Sequence, residues 1–309
     1  MNSKNDNSVK GTGITGHTHM VAMIGSPVEH SASPATHSLA YKKLGIDAVF
    51  LVFDVTEPDL PNVIGAFRAM KGWVSTTVTM PLKQAVIPYL DELSDEARLI
   101  GSVNMITKES DGRLVGHNTD GKGFMNNLEK NGVTVKGATM TLVGPGGAGS
   151  AIFVQAALDG VARLDVFARE GGKSYRHALL LKENIEKALK DKVDESKDTT
   201  NCQITIYSLE NKDQLKQSIS ESDILANGTN IGMGEGNNET PVAQDLLRPG
   251  MVVADVIYAP IETQLLKDAK ALGCKTFNGL GMLDEQAVVA DKIRFGVEIP
   301  IKEIRAELS

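Results

Sequence analysis

A glycine-rich run in the middle of the chain has the spacing of a phosphate-binding turn. The run Gly144-Pro145-Gly146-Gly147-Ala148-Gly149 follows an apolar stretch, residues 140–143, and precedes a helical pattern over residues 150–158. Glycine lets the backbone turn tightly and approach a pyrophosphate, and the N–H groups at a helix start attract an anion. A tight turn that binds nothing would contain the same glycines, but a second apolar run at residues 164–168 favours a dinucleotide-binding unit.

Two titratable side chains stand where helices are expected to begin. Lys83 follows Pro81, and a proline can end a strand and open a helix. A cation in a first helical turn opposes the helix dipole, so this is an unusual place for a lysine, although a solvated lysine fits the pattern equally well. Asp120 can be a simple helix-start acid stabilised by the dipole. Both residue types transfer protons in enzymes, and their positions alone do not decide between that use and a structural one.

Uncharged polar side chains in three further segments are candidates for binding a ligand. Ser31 and Ser33 precede a proline, and Ser33 has the position of a helix N-cap, so loop and capping hydroxyls would explain both serines. Asn104 lies in an apolar run, residues 100–106, that is predicted to be a strand, and its amide needs a partner if buried. Residues 227–233 follow another strand, and ligands of open α/β sheets bind at such carboxyl ends.

The elements that would position these residues alternate between strands and helices. Strands are predicted at residues 20–24, 48–53, 73–79, 100–106, 140–143, 164–168, 203–207, 224–227, 251–256 and 276–277. Helices are predicted at residues 34–44, 59–70, 121–128, 150–158, 175–190, 212–220 and 262–272, with a short one from Pro81 and a closing one after residue 278. Residues 1–19 are predicted to be a disordered lead and residues 191–201 a loop.

Length and composition bound the class of protein. A chain of 309 residues predicts two domains, and 41% hydrophobic residues are ample for their cores. The net charge of −7 argues against nucleic-acid and acidic-membrane partners. With no apolar run long enough to span a bilayer and no secretory signal pattern, a cytoplasmic enzyme is the simplest expectation. Cys202 and Cys274 fit no metal spacing, so packing thiols and no metal are expected.

Eight short motifs occur along the chain in the order found in one enzyme family. They are Ile24-Gly25-Ser26-Pro27 with His30-Ser31-Ala32-Ser33-Pro34, Val78-Thr79-Met80-Pro81-Leu82-Lys83, Gly101-Ser102-Val103-Asn104, Asn118-Thr119-Asp120-Gly121, Gly144-Pro145-Gly146-Gly147-Ala148, Asn227-Gly228-Thr229 with Gly232-Met233, Tyr258-Ala259-Pro260 with Thr263, and Asn278-Gly279 with Met282-Leu283 and Gln286. Together they resemble the shikimate dehydrogenase family, and most closely its quinate/shikimate dehydrogenase branch. Each motif is weakly specific, whereas eight in order over residues 21–303 are strongly so.

The resemblance implies a two-domain α/β fold with the active site in the cleft between the domains. An N-terminal α/β substrate domain would cover residues 20–117, completed by residues 283–309. A Rossmann-type, doubly wound dinucleotide-binding domain would cover residues 118–282. The implied reaction is reversible hydride transfer between a nicotinamide cofactor, NAD or NADP, and shikimate or quinate, giving 3-dehydroshikimate or 3-dehydroquinate. The expected partner is the small-molecule substrate, with no metal, nucleic acid or membrane, and a homodimer is left open.

The resemblance also implies roles for individual residues. Lys83 and Asp120 would share the substrate hydroxyl and pass one proton. The implied substrate-binding residues are Ser31 and Ser33 for the carboxylate and Thr79, Asn104 and Gln286 for ring hydroxyls, together with Tyr258. The implied cofactor-binding residues are Gly144, Pro145, Gly146, Gly147, Ala148, Ala168, Arg169, Glu170, Thr229, Asn230, Val256, Gly279 and Met282.

Three positions depart from the family pattern. Thr77 stands where many members have asparagine, Ala168 stands where an asparagine usually precedes Arg169, and Asp284-Glu285 replaces an aromatic residue before Gln286. A carboxylate beside the cleft would weaken an anionic substrate. A divergent substrate is therefore left open, such as an aminoshikimate-type compound or another hydroxylated cyclohexane carboxylate.

Two other functions compete with the dehydrogenase reading. One is a catalytically silent sensor of quinate-pathway metabolites on the same fold, which would not need to retain both Lys83 and Asp120. The other is a dehydrogenase of similar two-domain shape, for example one acting on folate. That enzyme would require neither the paired serines nor Asn118-Thr119-Asp120.

The residues after the second strand of the nucleotide unit favour NAD over NADP. Arg169 is followed by Glu170-Gly171-Gly172, and the next arginine is Arg176. Glu170 would repel a 2′-phosphate and would accept hydrogen bonds from the two ribose hydroxyls of NAD. Arg169 argues the other way, because one guanidinium can bind phosphate or can stack on the adenine of either cofactor. A preference for NAD is expected, and NADP is left open.

Overall fold

The structure, a computed structural model, describes residues 13–195 and 202–308. They form two compact units: the first contains the residues up to Asn118 and those from Ala290 onward, and the second is Thr119–Val289. The second unit therefore ends at Val289, further along the closing helix than residue 282, where the dinucleotide-binding domain was predicted to end. The first twelve residues of the predicted lead lie outside the described part of the chain, and the first strand begins at His19.

The described residues form a series of strands and helices that alternate over most of its length. The strands are β1 (His19–Gly25), β2 (Ala48–Asp54), β3 (Trp73–Val78), β4 (Glu92–Leu93), β5 (Met105–Lys108), β6 (Leu114–His117), β7 (Thr139–Val143), β8 (Arg163–Ala168), β9 (Gln203–Ser208), β10 (Ile224–Asn227), β11 (Val252–Asp255) and β12 (Lys275–Phe277). The helices are α1 (Ser33–Leu44), α2 (Leu60–Ala69), α3 (Leu82–Ala85), α4 (Asp95–Ile100), α5 (Asp120–Lys130), α6 (Gly147–Leu158), α7 (Lys173–Glu195), α8 (Lys212–Glu221), α9 (Gln264–Ala271), α10 (Gly279–Phe295) and α11 (Ile301–Leu308).

The first unit contains a six-stranded mixed sheet in the order β2-β1-β3-β5-β6-β4. β1 pairs in parallel with β2 and β3, whereas β5 pairs antiparallel with β3 and β6. One buried core lies under β1, β3 and α2, where Phe67 stacks on Trp73 with ring centroids 4.9 Å apart. Because β1 and β3 are parallel neighbours, the loops that follow them begin side by side at one edge of the sheet.

The second unit contains a six-stranded, entirely parallel sheet in the order β12-β11-β10-β7-β8-β9. Counted from β7, this is the strand order 3-2-1-4-5-6 of doubly wound dinucleotide-binding folds. All four residues of β10 are buried, as expected for a strand covered by helices on both faces. The order reverses between β7 and β10, and ligands of such sheets bind at this switch point.

The predicted strand at residues 100–106 is wrong in its first part. Ile100 is the last residue of α4, whose start is capped by Ser94, which accepts a hydrogen bond from the N–H of Ala97 at 3.2 Å. Gly101 closes the helix in the left-handed conformation, with φ of 69°, and β5 begins only at Met105. A capping serine and a closing glycine were the signals of this short helix, and the apolar content of the run outweighed them.

Two other local predictions need correction. Ser33 is the first residue of α1 rather than its N-cap, which is Ala32, and Ala32 makes no capping hydrogen bond through its side chain. The predicted loop at residues 191–201 is helical as far as Glu195, because α7 continues, and the rest of that loop lies outside the described residues. Neither of the short strands β4 and β6 was predicted from the sequence.

Candidate active site and dinucleotide site

The phosphate turn of the second unit, residues 144–149, lies at the carboxyl end of β7. Gly144 turns with φ of 83°, and its N–H donates to the carbonyl of Phe167 in β8 at 2.9 Å. Helix α6 then begins at Gly147, three residues earlier than predicted, and Ser150 makes a helical hydrogen bond to the carbonyl of Gly146 at 2.7 Å. The N–H groups of the first turn of α6 therefore point out of the turn at the switch point of the sheet.

Three glycines at this turn are required by close contacts within the protein. A Cβ atom on Gly149 would lie 2.0 Å from the carbonyl oxygen of Gly144, and one on Gly228 would lie 2.5 Å from the same oxygen. A Cβ atom on Gly144 would lie 2.1 Å from the Cγ2 atom of Thr229. These glycines hold the loops after β7 and β10 against each other, which is a structural use.

Gly146 and Gly147 differ from their neighbours because a Cβ atom on either would meet nothing within 4 Å. The fold itself does not need glycine at these positions, and Gly146 has a φ of −81°, which any residue can adopt. The open space lies directly in front of the N-terminus of α6, where the helix dipole and backbone N–H groups favour an anion. The residues present therefore fit the pyrophosphate of a dinucleotide.

The end of β8 carries the predicted adenosine contacts. Ala168 is the last, buried residue of the strand, and Arg169 and Glu170 are exposed in the turn that follows it. Arg176 lies in the first part of α7, and its Nη1 donates to the carbonyl of Gly171 at 2.5 Å. The guanidinium of Arg176 therefore lies at the turn after β8, although Arg176 follows Arg169 by seven residues in the sequence.

A buried polar network, not predicted from the sequence, lies beneath the loops after β10 and β11. The side chain of Asn227 donates to Asp255 at 3.0 Å and accepts from the N–H and hydroxyl of Thr229 at 2.9 and 2.7 Å. Asp255 also accepts from the N–H of Ile257 at 3.0 Å and the hydroxyl of Thr263 at 2.8 Å. Burial raises the pKa of Asp255, against the effect of these hydrogen bonds. The network orders the loops that carry the predicted residues Thr229 and Val256.

Helix α5 begins at Asp120, which is buried, and packs against two other helices of the second unit. A Cβ atom on Gly121 would lie 2.3 Å from the carbonyl oxygen of Ala151 in α6. One on Gly123 would lie 2.6 Å from the backbone nitrogen of Gln286 and 2.8 Å from the carbonyl oxygen of Met282, both in α10. Two small residues therefore bring Asp120 within a helical turn of both the helix of the phosphate turn and the helix of Gln286.

The acidic departure before Gln286 has a partner within the second unit. The side chain of Glu285 is 9% exposed, and its Oε2 lies 2.9 Å from the Nζ of Lys130 at the end of α5. Helical geometry separates neighbouring side chains by about 100°, so Glu285 faces α5 rather than sharing the direction of Gln286. One of the two carboxylates in the departure, that of Glu285, is thus held in an ion pair between two helices.

Backbone hydrogen bonds draw three predicted residues of the first unit together. Val78, which precedes Thr79, donates from its N–H to the carbonyl of Asn104 at 2.7 Å. Val103 donates to the carbonyl of Lys83 at 2.8 Å, and Thr79 donates to the carbonyl of Ile24 at 2.9 Å. Thr79, Lys83 and the buried Asn104 therefore lie on adjoining loops at the edge of the sheet where β1 and β3 end.

Ser31 and Ser33 lie at the start of α1 in the same unit. The hydroxyl of Ser31 donates to the sulfur of Met23 in β1 at 3.3 Å and accepts from the N–H of Ser33 at 3.3 Å. Met23 is paired with Thr77 in the sheet, two residues before Thr79. The serines therefore lie near the edge of the sheet that carries the other predicted substrate-binding residues of this unit.

Thr77, the first departure from the family pattern, contacts a buried charged cluster. The Nη2 of Arg294 donates to the hydroxyl of Thr77 at 3.4 Å, and its Nη1 bonds Asp291. Asp291 in turn lies 2.7 Å from the Nδ1 of His37 and accepts from the hydroxyl of Tyr41 at 3.0 Å. Burial would raise the pKa of Asp291, but the bond and charge of His37 and the charge of Arg294 outweigh it and hold the pKa below its ordinary value.

The remaining predicted residues lie in loops and at the start of α10. Tyr258 is 48% exposed after β11, and Asn230 is exposed after β10. Gly279 opens α10, with its N–H bonded to the carbonyl of Ile257 at 2.9 Å, and Met282 is buried one turn later. Within the described residues, no helix is apolar and long enough to cross a membrane, and no cluster of three or more His, Cys, Asp or Glu side chains could hold a metal ion.

These two units define a class of protein. A doubly wound parallel sheet with an open glycine turn at its switch point is a Rossmann-type dinucleotide-binding unit, and here it is joined to a separate α/β unit with its own sheet. Residues 23–106 of the first unit match the family model described as the shikimate dehydrogenase substrate binding domain.

Known proteins share this arrangement over nearly their full length. The shikimate dehydrogenase (NADP(+)) of Listeria innocua is 41% identical over 295 residues, which cover 94% of this chain and 96% of that protein. The crystal structure of shikimate 5-dehydrogenase from Listeria monocytogenes, in complex with shikimate and NAD, is 40% identical with a TM-score of 0.87, covering 96% of this chain and 98% of that one. The 5-ketofructose reductase of a Gluconobacter species is 32% identical with a TM-score of 0.79, covering 95% and 99%.

The chain belongs to the shikimate dehydrogenase family. The family and the two-domain fold expected from the eight motifs are thereby confirmed. The roles of the individual site residues remain predictions.

Proposed function

We propose that the protein catalyses the reversible oxidation of shikimate to 3-dehydroshikimate with NADP⁺ as the hydride acceptor. The curated relative that is 41% identical is named for this substrate class and this cofactor, and the Listeria monocytogenes protein was solved with shikimate. Lys83 and Asp120 are proposed as the proton-transfer pair. The bound dinucleotide would supply the hydride acceptor, with its pyrophosphate on the phosphate turn.

The observation that best supports this proposal is the packing of α5. Its first residue, Asp120, is buried, and Gly121 and Gly123 press the helix onto α6 and α10. A helix that only covered the sheet would not need glycine at two positions of its first turn, where the residue weakens a helix. The arrangement carries a buried carboxylate close to both the proposed dinucleotide site and the proposed substrate residue Gln286.

The protein's part in the reaction is to move one proton and to orient the substrate. An alcohol that loses a hydride from carbon must also lose its hydroxyl proton, and a positioned base accelerates this step by about 10²–10⁴-fold. Asp120 and Lys83 would share the reacting hydroxyl so that its proton passes to this pair and then to solvent. In the reverse direction the same pair would return the proton to the developing alkoxide.

Neutral hydrogen-bond donors would hold the anionic substrate. The hydroxyls of Ser31 and Ser33 lie at the start of α1, where the helix dipole also favours a carboxylate. Thr79 and Asn104, on adjoining loops, would bind ring hydroxyls together with Gln286. In a chain of net charge −7, such local donors and the dipole compensate for the unfavourable overall field.

The choice of NADP⁺ revises the cofactor expected from the sequence. Arg169 is exposed after β8, and the guanidinium of Arg176 returns to the same turn through its bond to Gly171. Two cations at this turn suit the 2′-phosphate of NADP⁺, in line with the name of the curated relative. NAD is the second candidate, because Glu170 is exposed in the same turn and would accept bonds from the ribose hydroxyls.

A spectrophotometric assay that crosses shikimate and quinate with NADP⁺ and NAD tests the proposal. Shikimate with NADP⁺ is expected to give the highest kcat/KM, and Glu170→Ser should shift the cofactor ratio further towards NADP⁺. Lys83→Ala and Asp120→Asn should each lower kcat at least about a hundredfold. Lys122→Ala is the matched control, because Lys122 also lies on α5 but is half-exposed and paired with Asp159 at 3.0 Å.

The alternatives are separated by this assay together with a measurement of substrate binding and an assay of ketone reduction with the reduced cofactor. Near-normal turnover by both folded variants would remove Lys83 and Asp120 from the mechanism. Binding of shikimate or quinate without turnover by the unmodified protein would favour a metabolite sensor. Reduction of 5-ketofructose in preference to 3-dehydroshikimate would place the protein nearer the Gluconobacter reductase in activity, which is the reason to include that substrate.

A further inference from the structure

Asp255 occupies an unusual environment for a carboxylate. It is the last residue of β11 and is 1% exposed. Its hydrogen-bond donors include the side chain of Asn227, the N–H of Ile257 and the hydroxyl of Thr263, which are all neutral. Within the described residues no ion pair involves Asp255, and burial raises its pKa. Replacing Asp255 alone by an apolar residue would leave the buried donors of Asn227, Ile257 and Thr263 unpaired, so this carboxylate is the acceptor that joins them.

One branch of the network leads from Asp255 to the phosphate turn. Asn227 donates to Asp255, which fixes the orientation of its amide, so that its oxygen accepts both bonds from Thr229 at 2.9 and 2.7 Å. The methyl group of Thr229 then lies against Gly144, where a Cβ atom would be only 2.1 Å away. A shift of Thr229 would therefore move the backbone that shapes the open space at Gly146 and Gly147.

The other branch leads from Asp255 to the start of α10. Its Oδ1 accepts from the N–H of Ile257, whose carbonyl accepts from the N–H of Gly279 at 2.9 Å. Its Oδ2 accepts from Thr263, which also caps α9 by accepting from the N–H of Leu266 at 3.4 Å. One carboxylate thus joins the loop after β10, the loop after β11 and the first residue of the helix that carries Gln286.

We propose that Asp255 is a positioning residue for dinucleotide binding, which holds the loops after β10 and β11 in the conformation that the cofactor requires. This inference rests on the proposed use of a nicotinamide dinucleotide. Asp255 does not act on the cofactor directly: it orients Asn227 and Thr229 and keeps the phosphate turn in shape. Removing its charge should therefore weaken binding of the dinucleotide much more than it slows the chemical step, since pre-organisation is lost while the proposed proton-transfer groups remain.

The test compares Asp255→Asn with Asp165→Asn. Asp165 lies on β8 of the same sheet, is 2% exposed and bonds Arg163 at 3.0 Å, so it controls for the loss of a buried carboxylate. Binding of NADP⁺ and NAD is measured by calorimetry, and KM and kcat are measured at saturating shikimate. Asp255→Asn should raise Kd and KM for the dinucleotide about tenfold or more, with kcat changed less than about threefold. Asp165→Asn should leave both constants within about twofold of the unmodified protein.

An exchange of the two partners provides the rescue. In Asn227→Asp with Asp255→Asn, a carboxylate and an amide again face each other in reversed order, and Kd should return to within about threefold of the original. If Asp255→Asn does not fold, Thr263→Val, which removes one donor, should raise Kd while Thr263→Ser should not. Equal Kd for Asp255→Asn and the unmodified protein would overturn the inference, as would equal losses for Asp255→Asn and Asp165→Asn. Absence of dinucleotide binding by the unmodified protein would instead overturn the proposed function.

Discussion

Two glycines of the phosphate turn, Gly147 and Gly149, should respond in opposite ways to the same added methyl group. In Gly149→Ala the new Cβ atom would lie 2.0 Å from the carbonyl oxygen of Gly144, so the backbone of the turn must move. In Gly147→Ala the new Cβ atom would meet nothing within 4 Å. The pair therefore separates the structural use of glycine in this turn from its use in admitting a ligand.

The magnitudes follow from these distances. Overpacking costs about 1–3 kcal/mol, and a contact with backbone rather than a flexible side chain puts Gly149→Ala at the upper end. For a unit of this size, about 3 kcal/mol corresponds to a fall in Tm of roughly 6–12 °C. Gly147→Ala should instead leave Tm unchanged or raise it slightly, because alanine restricts the unfolded chain and favours the helix by up to about 1 kcal/mol.

Gly147→Ala should weaken dinucleotide binding although it does not destabilise the fold. That methyl would occupy the space through which a pyrophosphate approaches the N-terminus of α6. A loss of about 1.4 kcal/mol or more, which is tenfold in Kd, is expected for NADP⁺ and NAD alike. Thermal denaturation with and without each dinucleotide measures both quantities. Gly65→Ala in α2 is the control, since Gly65 is an exposed helical glycine with the same open surroundings, and it should stabilise without changing Kd.

Either of two results would refute this reasoning. If Gly147→Ala lowers Tm as much as Gly149→Ala, the turn needs glycine at both positions for folding alone. If Gly147→Ala folds normally and binds both dinucleotides like the unmodified protein, the open space in front of α6 does not receive the pyrophosphate.

Two further predictions concern the first unit. Asp291→Asn leaves the guanidinium of Arg294 buried opposite a neutral amide and should lower the free energy of unfolding by about 3–5 kcal/mol in urea denaturation. The pKa of Asp291 is held below its ordinary value of about 3.9, so this stabilisation should be complete above about pH 4 and should diminish as the pH falls further. If the difference in the free energy of unfolding between the two proteins stays constant down to pH 2, the carboxylate of Asp291 is not its source. Ser31→Ala and Ser33→Ala should each raise KM for shikimate about five- to thirtyfold. Ser33→Ala should do so without lowering Tm, because Ser33 is not the N-cap of α1, whereas Ser31→Ala also removes the acceptor of the N–H of Ser33 and should lower Tm slightly. A fall in Tm with unchanged KM would assign these serines a structural role.

The parts of the fold that local signals determine were predictable from the sequence. The apolar runs before and after the glycine turn favoured buried strands, and Gly45 marked the end of α1, where it adopts the left-handed conformation. Residues 100–104 were misassigned, because the end of α4, a turn and the start of β5 together form one short, largely apolar run over residues 100–106. Periodicity cannot separate elements that are shorter than two helical turns.

The parts of the candidate site that depend on distant residues were not predictable. Asn227 and Asp255 each end a buried strand, and only the parallel pairing of β10 with β11 shows that they are direct neighbours. Arg176 was placed too far from Arg169 to count as a second cation at the turn after β8. The chain returns it there because the turn is short and α7 begins at Lys173, which the sequence pattern located two residues too late.

Thr77 departs from the family pattern, but its hydroxyl has a partner that the pattern alone does not reveal. Read alone, a threonine in place of asparagine loses one polar contact near Thr79. In the structure its hydroxyl is bonded to Arg294, whose charge is balanced by Asp291, which in turn is bonded to His37 and Tyr41. The residue at position 77 is therefore one end of a buried network that reaches from β3 to the last turn of α10. A buried guanidinium that loses its partners lowers the free energy of unfolding strongly, so the residue at position 77 is constrained by Arg294. The effect of Thr77→Asn therefore depends on how well the asparagine side chain bonds that guanidinium.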